Sequence, residues 1–590
     1  MAHSRDPRLC SLSPSASPAG ARSAAACSAV ALLLLGGCVG PLGSRESDRG
    51  DKVSLDRLRT SAPLQLDAFK TTDTAAAASV PTIDETNPPP KPPSRFEGLE
   101  RVELTIEQCR AEALRNNLDL KVALVDPTIA DEGLRVELAK FEAVFTPFAR
   151  YSNADRPTLQ TTVANQQKNT QFGAGVDIPL RTGGRASIDF TESRQETPNN
   201  PFFQSSSAWS SDLTMSISQP LLRNGWEEAN TASIRIAGFQ QQIAEARTKL
   251  TVVAQLAAVD RAYWRLYAAG RELEVRQQQY ELAASQLAQA QRRVRAGDTA
   301  EIDVVRAQSG LASRLESIII AENNVLNLQR ELKRVVNMPD LAVDSVQLVT
   351  TATKPAPAQY ALDSEVLTQA ALSGRMELLE TELQLLADAA DEGLRYNQLL
   401  PQLDISGSYT FSGLASNFNA NNRVLANGDF QSFSAGLQGE IPLGNEAAEA
   451  RYRRSILIRL QRVSTKQARE LTVKQDVLNA IDNIRGGWQR ILAAQQSTIL
   501  AARTLRGEQR QFDVGQRTST DVLDAAARLA DSQSAEIRAL TDYQIAQVDL
   551  AIATGTVLGS GRVFWEPTTT QPSDLPRGAK LWGAEPGRIP

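Results

Sequence analysis

One stretch of the chain decides its fold, and it reads Phe512-Asp513-Val514-Gly515-Gln516-Arg517-Thr518-Ser519-Thr520-Asp521-Val522-Leu523-Asp524-Ala525. An earlier stretch has the same plan and reads Val294-Arg295-Ala296-Gly297-Asp298-Thr299-Ala300-Glu301-Ile302-Asp303-Val304. In both stretches a glycine separates one helical pattern from the next. Because such self-similarity marks an internal repeat, we interpret the chain as a duplication of a unit with two long helices.

Mostly apolar residues recur at heptad spacing on either side of each glycine. Before the glycines they are Val252, Val259, Leu266, Leu273, Tyr280, Leu287 and Val294, and then Val477, Ile484, Ile491, Thr498, Leu505 and Phe512. After the glycines they are Val304, Leu311, Ile318, Val325 and Leu332, and then Val522, Leu529, Tyr543 and Leu550, with Glu536 as the one interruption. A heptad sustained over so many turns predicts helices that supercoil against neighbours. One of them, from near Glu228 to Arg295, would be roughly 100 Å long.

Each half also opens in the same way. The first begins Leu104-Thr105-Ile106-Glu107 and the second begins Leu362-Asp363-Ser364-Glu365. Thr105 and Asp363 are residue types that cap helix N-termini, and each precedes apolar residues at three- and four-residue steps. We therefore predict that a short helix starts each half.

Between the short helix and the long helix, each half alternates apolar residues with small or polar ones. The apolar positions are Phe172, Ala174, Val176, Ile178, Leu180, Ala186, Ile188, Phe190, Leu213, Met215 and Ile217 in the first half, and Leu403, Ile405, Tyr409, Phe433 and Leu437 in the second. This period predicts strands of about ten residues, which fit a transmembrane barrel or a half-exposed soluble sheet equally well. Beyond the amino-terminal leader, no segment has about twenty apolar residues in a row, so we predict no transmembrane helix.

The composition argues against several classes of function. The formal net charge is −5 and no basic block occurs, so the chain lacks the electrostatic footprint of a nucleic-acid-binding protein. The one histidine is His3, and the chain has neither a Gly-rich phosphate loop nor clustered metal ligands. Its cysteines lack Cys-x-x-Cys spacing, and they are Cys10, Cys27, Cys38 and Cys109. We therefore expect no enzyme, no cofactor and no metal site, and we expect Cys109 to be a buried, unreactive residue.

The amino-terminal part has the features of an export signal. Several arginines precede an apolar run at 29–35, which ends in Leu35-Gly36-Gly37-Cys38. We predict a signal peptide over residues 1–37. The tetrapeptide resembles a bacterial lipobox, which implies acylation of Cys38; the alternative is a simple signal peptide with an incidental cysteine. Residues 38–98 are polar and Pro-rich and predict a lipid-anchored linker, whereas 559–590 predict a disordered tail.

The order of short helix, strands, long helix, glycine turn and return helix is run twice over Leu104–Leu558, and it resembles the TolC-type outer membrane efflux protein family. The resemblance implies a mainly α fold with transmembrane β, in which duplicated long coiled-coil helices form an α-barrel tunnel and trimerisation completes a β-barrel. We place the first repeat at 99–340, a connection at 341–360 and the second repeat at 361–558. Two hairpins per chain would close such a barrel in threefold symmetry. Tyr151–Gln219 holds an extra strand pair, which is either an extended extracellular hairpin or additional barrel wall.

The resemblance further implies a passive exit duct, spanning the outer membrane and periplasm, for a tripartite efflux or type I secretion system. The expected partners are two more copies of the chain, a periplasmic adaptor, an inner-membrane pump and outer-membrane lipid. The lipobox resemblance and Val39 after Cys38 imply an outer-membrane lipoprotein. The alternative is a periplasmic coiled-coil lipoprotein scaffold or adaptor, which explains the heptads but not the duplicated strands.

By the same resemblance, charged residues near the glycine turns form the periplasmic gate. Asp521 and Asp524 correspond to an acidic ring that favours cations, and their spacing puts both on one helix face. Asp303 takes the matching place in the first half, and Arg517 is expected to pair with it across neighbouring helix pairs. The alternative is that these carboxylates are ordinary helix-start residues stabilised by the helix dipole.

The glycine turns themselves are the expected adaptor-docking tips. Gly297 and Gly515 occupy the place of the glycine in the Val-Gly-Leu tip that the family often has. Here Asp298 and Gln516 follow the glycines instead of an apolar residue, so the choice of adaptor stays open. The alternative is that each glycine only permits a left-handed turn.

Overall fold

The structure is a computed structural model that describes residues 94–155, 157, 166–198, 206–297 and 300–560. The predicted signal peptide at 1–37, the predicted acylation site Cys38 and the predicted linker up to residue 93 lie outside the described residues. The predicted tail lies outside them as well, except for its first two residues, 559 and 560. Within the described residues, the order of helices and strands follows the predicted duplication.

The first repeat places four strands between short helices and two long ones. Its elements are β1 (Arg101–Leu104), α1 (Ile106–Asn116), α2 (Leu118–Ala123), α3 (Asp126–Ala139), β2 (Val144–Asp155), β3 (Gln166–Pro179), β4 (Arg185–Thr197), β5 (Ser206–Pro220), α4 (Glu227–Asn230), α5 (Ala232–Ala296) and α6 (Ile302–Val336). Thr105 caps α1 as predicted. Its side chain accepts a hydrogen bond from the Gln108 backbone N–H, and the Gln108 side chain accepts one from the Thr105 backbone N–H.

The second repeat has the same two long helices but different short helices and only two strands in the corresponding place. Its elements, with the strand that precedes them, are β6 (Leu348–Thr351), α7 (Ser364–Gly374), α8 (Met376–Asn397), β7 (Gln402–Ala415), α9 (Phe418–Asn427), β8 (Phe430–Glu440), α10 (Glu446–Asp513), α11 (Ser519–Ala553) and α12 (Val557–Ser560). Asp363 caps α7 as predicted, because its Oδ1 accepts from the backbone N–H of Glu365 at 2.9 Å and of Val366 at 3.3 Å. The helix α9 and the strands β1, β2 and β6 are among the elements that the sequence did not predict.

The heptad positions form the buried face of the long helices. Fully or almost fully buried heptad positions include Val252, Val259, Leu266, Leu332, Val477, Ile484, Ile491, Val522 and Tyr543. The helix α5 packs against α6, and α10 packs against α11. The helix α8 contacts both α5 and α10. At about 1.5 Å per residue, the 65 residues of α5 extend over nearly the predicted 100 Å. In the described parts of the chain, no helix is both long enough and apolar enough to cross a membrane.

The strands form one six-stranded antiparallel sheet. Its order is β2-β3-β4-β5-β7-β8, so the pairing of β5 with β7 joins the two repeats. The extra strand pair of Tyr151–Gln219 lies inside this sheet, because β3 and β4 pair with each other and with β2 and β5. The sheet therefore has six strands, which are the four of two hairpins and the extra pair predicted within Tyr151–Gln219.

The two faces of the sheet differ in chemistry, as the alternation predicts. Directly opposed residues share a face, and one such row holds Val176, Ile188, Met215, Tyr409 and Phe433. The other face is rich in hydroxyl groups that bond across strands, with Ser187 to Ser216 at 2.8 Å, Ser408 to Ser434 at 2.8 Å and Thr214 to Thr410 at 3.1 Å. One face thus suits an apolar surrounding and the other suits water.

A small parallel sheet ties the start of the first repeat to the segment predicted as a connection. Strand β6, within 341–360, pairs with β1. The Tyr263 hydroxyl of α5 donates to the Leu104 carbonyl at 3.0 Å and accepts from the Thr353 N–H at 2.8 Å. Cys109 is fully buried beside this junction, and burial, with the nearby charge of Asp260, raises the pKa of its thiol to about 12. The prediction of a buried, unreactive cysteine agrees with this site.

Candidate gate at the helix-hairpin tips

Both glycine turns adopt the left-handed backbone conformation. Gly297 ends α5 at φ +81°, and Gly515 follows α10 at φ +79°. Neither position is crowded, because a Cβ added to either glycine would meet nothing within 4 Å. The glycines are therefore required by backbone conformation, which other residues adopt only at a cost.

The predicted gate residue Asp303 lies in the first turn of α6. Its Oδ1 is 3.7 Å from Arg306 Nη1, one turn further along the same helix. The residue before the helix, Glu301, makes no side-chain capping bond. Asp303 therefore has its nearest positive charge on its own helix, in an arrangement expected of an ordinary helix-start carboxylate.

Asp521 caps the second tip. Its Oδ2 accepts hydrogen bonds from the Thr518 backbone N–H at 2.9 Å and from the Thr518 hydroxyl at 2.8 Å, and the Asp521 N–H donates back to that hydroxyl. These bonds, and to a smaller extent the charge of Arg517, lower the pKa of Asp521. Asp524 lies one turn further along α11, is exposed, and makes no hydrogen bond or ion pair with the described residues. The two carboxylates therefore share a helix face, but only Asp524 has its side chain free.

Arg517 points back onto the helix that precedes it. Its Nε donates to Gln511 Oε1 at 3.0 Å and lies 3.2 Å from Glu508 Oε2. Among the described residues it makes no ion pair with Asp303, so the two predicted partners do not meet within one chain. Their pairing between helix hairpins of neighbouring chains stays a prediction.

The contact that joins the two tips was missed by the sequence analysis. Arg293, in the last turn of α5, donates from Nη2 to the Phe512 carbonyl at 3.2 Å, and its guanidinium lies 4.2 Å from the centre of the Phe512 ring. The available signals were the basic last turn of α5 and the aromatic residue at a heptad position just before Gly515. Nothing in either pattern indicated that the two side chains would meet.

Further contacts hold the hairpins side by side above the tips. Gln279 of α5 donates to the Ala526 carbonyl of α11 at 3.0 Å, and Leu523 packs against Gly310 of α6. All four predicted charged residues therefore lie on one rim of the chain, formed by the starts of α6 and α11. The described residues contain no group of three His, Cys, Asp or Glu side chains arranged to hold a metal ion.

Comparison with known proteins agrees with this arrangement. The sequence profile described as outer membrane efflux protein matches residues 110–338 and 367–556. The chain is 26% identical over 339 residues to the outer membrane protein TolC of Vibrio cholerae, covering 57% of this chain and 74% of that protein. It is 25% identical over 447 residues to the TolC protein of Escherichia coli, covering 72% and 85%.

The fold is shared with solved channels as well. The CmeC outer membrane channel of Campylobacter jejuni superimposes with a TM-score of 0.58 at 15% identity, over 76% of this chain and 85% of that chain. The two profile matches cover both repeats and leave out 339–366, where β6 lies. Strands set between helices in both repeats, together with these matches, disfavour a coiled-coil scaffold or adaptor. The chain belongs to the outer membrane efflux protein family and is an outer-membrane channel of an efflux system.

Proposed function

We propose that three copies of the chain close a barrel in the outer membrane, above a tunnel formed by their long helices. The observation that carries this proposal is the pair of open edges of the sheet. Every residue of β8 and all but one residue of β2 are exposed. Lipid cannot satisfy the free N–H and C=O groups of an open edge, so another chain must pair with it.

The strand count supports closure between identical chains. With six antiparallel strands, the two edge strands β2 and β8 run in opposite directions, so β8 of one copy is antiparallel to β2 of the next. Three copies would give eighteen strands, and barrels of 16 to 18 strands enclose an aqueous channel. The hydroxyl-rich face would line that channel and the apolar face would meet lipid.

The long helices offer a second surface for neighbouring chains. The helix α10 carries further apolar residues at heptad spacing that the chain leaves exposed, with Arg485 as the one interruption; they are Leu471, Leu478, Leu492 and Ile499. A stripe of this spacing is the kind of surface that packs into another supercoiled helix. Its burial against the next copy would continue the helical wall around the tunnel.

Cysteine pairs across the proposed seam test closure. Phe433→Cys on β8 is combined in turn with Phe145→Cys, Pro147→Cys and Ala149→Cys on β2, all of which lie on the apolar face. We expect one combination to give a covalent trimer after oxidation in the membrane. Ser434→Cys lies on the other face and serves as the matched control. Absence of any cross-linked trimer across the series, in protein recovered from the membrane, would overturn the proposal.

We propose further that Cys38 is acylated and anchors the chain, and that the glycine turns at Gly297 and Gly515 receive a periplasmic adaptor linked to an inner-membrane pump. The support is the lipobox-like sequence for the first and the exposed position of both turns for the second. Cys38→Ala should abolish lipid labelling of the protein. Recovery of unlabelled wild-type protein would contradict the anchor.

The rim charges would act as the gate. In the trimer, Arg517 would hold Asp303 of a neighbouring hairpin in the closed state, while Asp521 and Asp524 would form an acidic ring. Arg517→Ser should raise single-channel conductance, and exchange of the two charges should partly restore the closed state. The effect is modest, because partly exposed pairs are worth about 0 to 1 kcal/mol each.

Two comparisons sharpen the gate experiment. Arg306→Ser removes the positive charge that lies beside Asp303 on the same helix. Because this contact does not join two hairpins, the variant should change conductance less than Arg517→Ser. Changing both Asp521 and Asp524 to Ala should lower cation preference and leave trimers intact. Unchanged conductance and ion preference at low salt in these variants would identify the residues as ordinary helix-end charges.

A further inference from the structure

The helix α9 lies on the apolar face of the sheet, at the end away from the long helices. It connects β7 to β8, and its Phe418 ring packs edge-on against Trp209 of β5, with 5.3 Å between the ring centres. Beneath it lie three directly opposed residues of neighbouring strands, namely Glu192, Ser211 and Gly413. The helix therefore covers a row in which the apolar face becomes polar.

The covered row contains a carboxylate that is fully withdrawn from water. Glu192, Ser211 and the helix residue Asn421 all have no exposed surface. Asn421 Nδ2 donates to Glu192 Oε1 at 2.9 Å. Among the described residues, Glu192 Oε2, Ser211 Oγ and Asn421 Oδ1 have no hydrogen-bond partner. Three buried oxygens thus lack the partner that such groups almost always have.

Two of these oxygens, Ser211 Oγ and Asn421 Oδ1, lie beside a glycine. A Cβ placed on Gly413 would lie 2.7 Å from Ser211 Oγ, 2.8 Å from the Asn421 carbonyl oxygen and 2.9 Å from Asn421 Oδ1. A side chain at 413 would collide with these oxygens, so the glycine allows them to lie this close to the strand. Glu192 is the direct strand neighbour of Ser211 and brings its unpaired oxygen to the same row.

No side-chain cation of the described chain neutralises Glu192. Arg194, two residues further along β4, pairs with Glu196 and lies over the Trp209 ring at 5.5 Å. Withdrawing an unpaired carboxylate from water is strongly unfavourable. The unpartnered atoms are also mainly acceptors, since only the Ser211 hydroxyl has a proton to donate. These three oxygens therefore suit a cation better than a neutral ligand.

We propose that Glu192, Ser211 and Asn421 bind a hard divalent cation of the Ca²⁺ type, which fastens α9 to the sheet. The donor set is all oxygen, as such ions require, and consists of one carboxylate, one hydroxyl, one amide oxygen and the nearby main-chain carbonyl. Water completes the coordination. With a single carboxylate the site is weak, in the range of about 10⁻⁴ to 10⁻³ M found for extracellular modules.

Terbium luminescence tests the site directly, because Trp209 lies close enough to act as an antenna. Purified full-length protein in detergent is stripped with a chelator and titrated with Tb³⁺. We expect a saturable signal that Ca²⁺ displaces. Glu192→Gln keeps the size of the side chain and removes its charge, so it should weaken Tb³⁺ binding more than about tenfold.

Two variants and a second measurement distinguish a bound cation from a protonated carboxyl group or a buried water. Glu196→Gln removes a partly exposed carboxylate of the same strand, which pairs with Arg194, and should bind Tb³⁺ like the wild type. Trp209→Phe should lose the luminescence but keep the rise in thermal stability that Ca²⁺ produces. Equal Tb³⁺ binding by the wild type and Glu192→Gln, or a wild type whose thermal stability Ca²⁺ does not change, would overturn the proposal and indicate a protonated Glu192 or a buried water.

Discussion

The two repeats agree in their helices and differ in their strands. The long helices have 65 and 68 residues, and both return helices have 35. Between the short and long helices, however, the first repeat has four strands and the second has two strands and α9. Helix length is constrained because both hairpins must end at the same level to form one rim. Strands can be gained in pairs, since a hairpin returns the chain to the same end of the sheet.

The two tips differ as well, although their glycine turns match. The second tip has a capping box between Thr518 and Asp521, and Phe512 is buried behind it. The first tip has no side-chain cap, and Val294 occupies the heptad position that corresponds to Phe512. The same backbone turn is therefore held by packing and capping in one repeat and mainly by backbone bonds in the other.

The largest effect is expected from a deletion that leaves each repeat with two strands in the sheet. Deleting residues 156–205 and joining β2 to β5 by a short turn removes β3 and β4, and the remaining strands can still pair in antiparallel fashion. Because barrel diameter grows roughly linearly with strand number, the pore at the sheet should narrow by about a third. The measurement is the largest polymer that lowers conductance when added on the sheet side of a planar bilayer. An unchanged exclusion limit in a trimeric variant would place the hairpin outside the wall.

A smaller effect is expected from removing the aromatic residue of the second tip. Phe512→Ala should destabilise the end of α10 by about 3 to 5 kcal/mol, because it empties a buried site under Arg293. Val294→Ala at the corresponding position should cost about 1.5 kcal/mol or less, at ~0.8 kcal/mol per buried methyl group. Hydrogen exchange of the last helical turns reports both values. Equal destabilisation by the two substitutions would mean that side-chain packing contributes equally to both tips.

Removal of a helix cap should destabilise the second tip by less than removal of Phe512 does. Thr518→Ala removes the capping box and should cost about 1 kcal/mol, seen as roughly fivefold faster exchange in the first turn of α11. Glu301→Thr should bring no gain in α6, because residue 301 has helical angles of φ −57° and ψ −29° rather than the extended backbone of Thr518. Slower hydrogen exchange in the first turn of α6 in the Glu301→Thr variant would show that residue 301 can act as a cap.

The smallest effect is expected from lowering the pH. Since the folded tip lowers the pKa of Asp521, its contribution to stability is present above the ordinary Asp pKa, near 3.9, and is lost as the pH falls through the lower folded value. The frequency of brief openings in a planar bilayer should therefore rise only below about pH 4. Asp521→Asn keeps an acceptor for Thr518 and should remove this part of the pH response. An identical pH response in that variant would assign it to other carboxylates.

The helical part of the fold was predictable because it follows from local rules. Heptad spacing placed Val259 and Ile484 in the core, residue type placed the caps at Thr105 and Asp363, and the glycines marked both turns. Each of these signals depends on neighbours within a few residues. The family resemblance then supplied the function, which spacing alone left open.

The missed features depend on the path of the chain in space. Strand β2 escaped notice because Val144 and Phe148 put apolar residues on the hydroxyl-rich face, which breaks the alternation. The contact of Arg517 with Glu508 within the chain was not predicted, because it depends on how the turn at Gly515 directs the Arg517 side chain back along α10. Glu192 gave no signal at all, since its burial is caused by a helix that follows more than two hundred residues later.

The pairing of β5 with β7 has a consequence for how the protein is made. Trp209 lies opposite Ala415, and the whole of α5 and α6 comes between them in the sequence. A chain synthesised from its amino terminus therefore completes four strands long before their neighbour exists. Pairing across so long a separation is slow, and an apolar sheet with an open edge is prone to aggregate meanwhile. Exported chains of this kind must be kept apart until the second repeat has crossed the inner membrane.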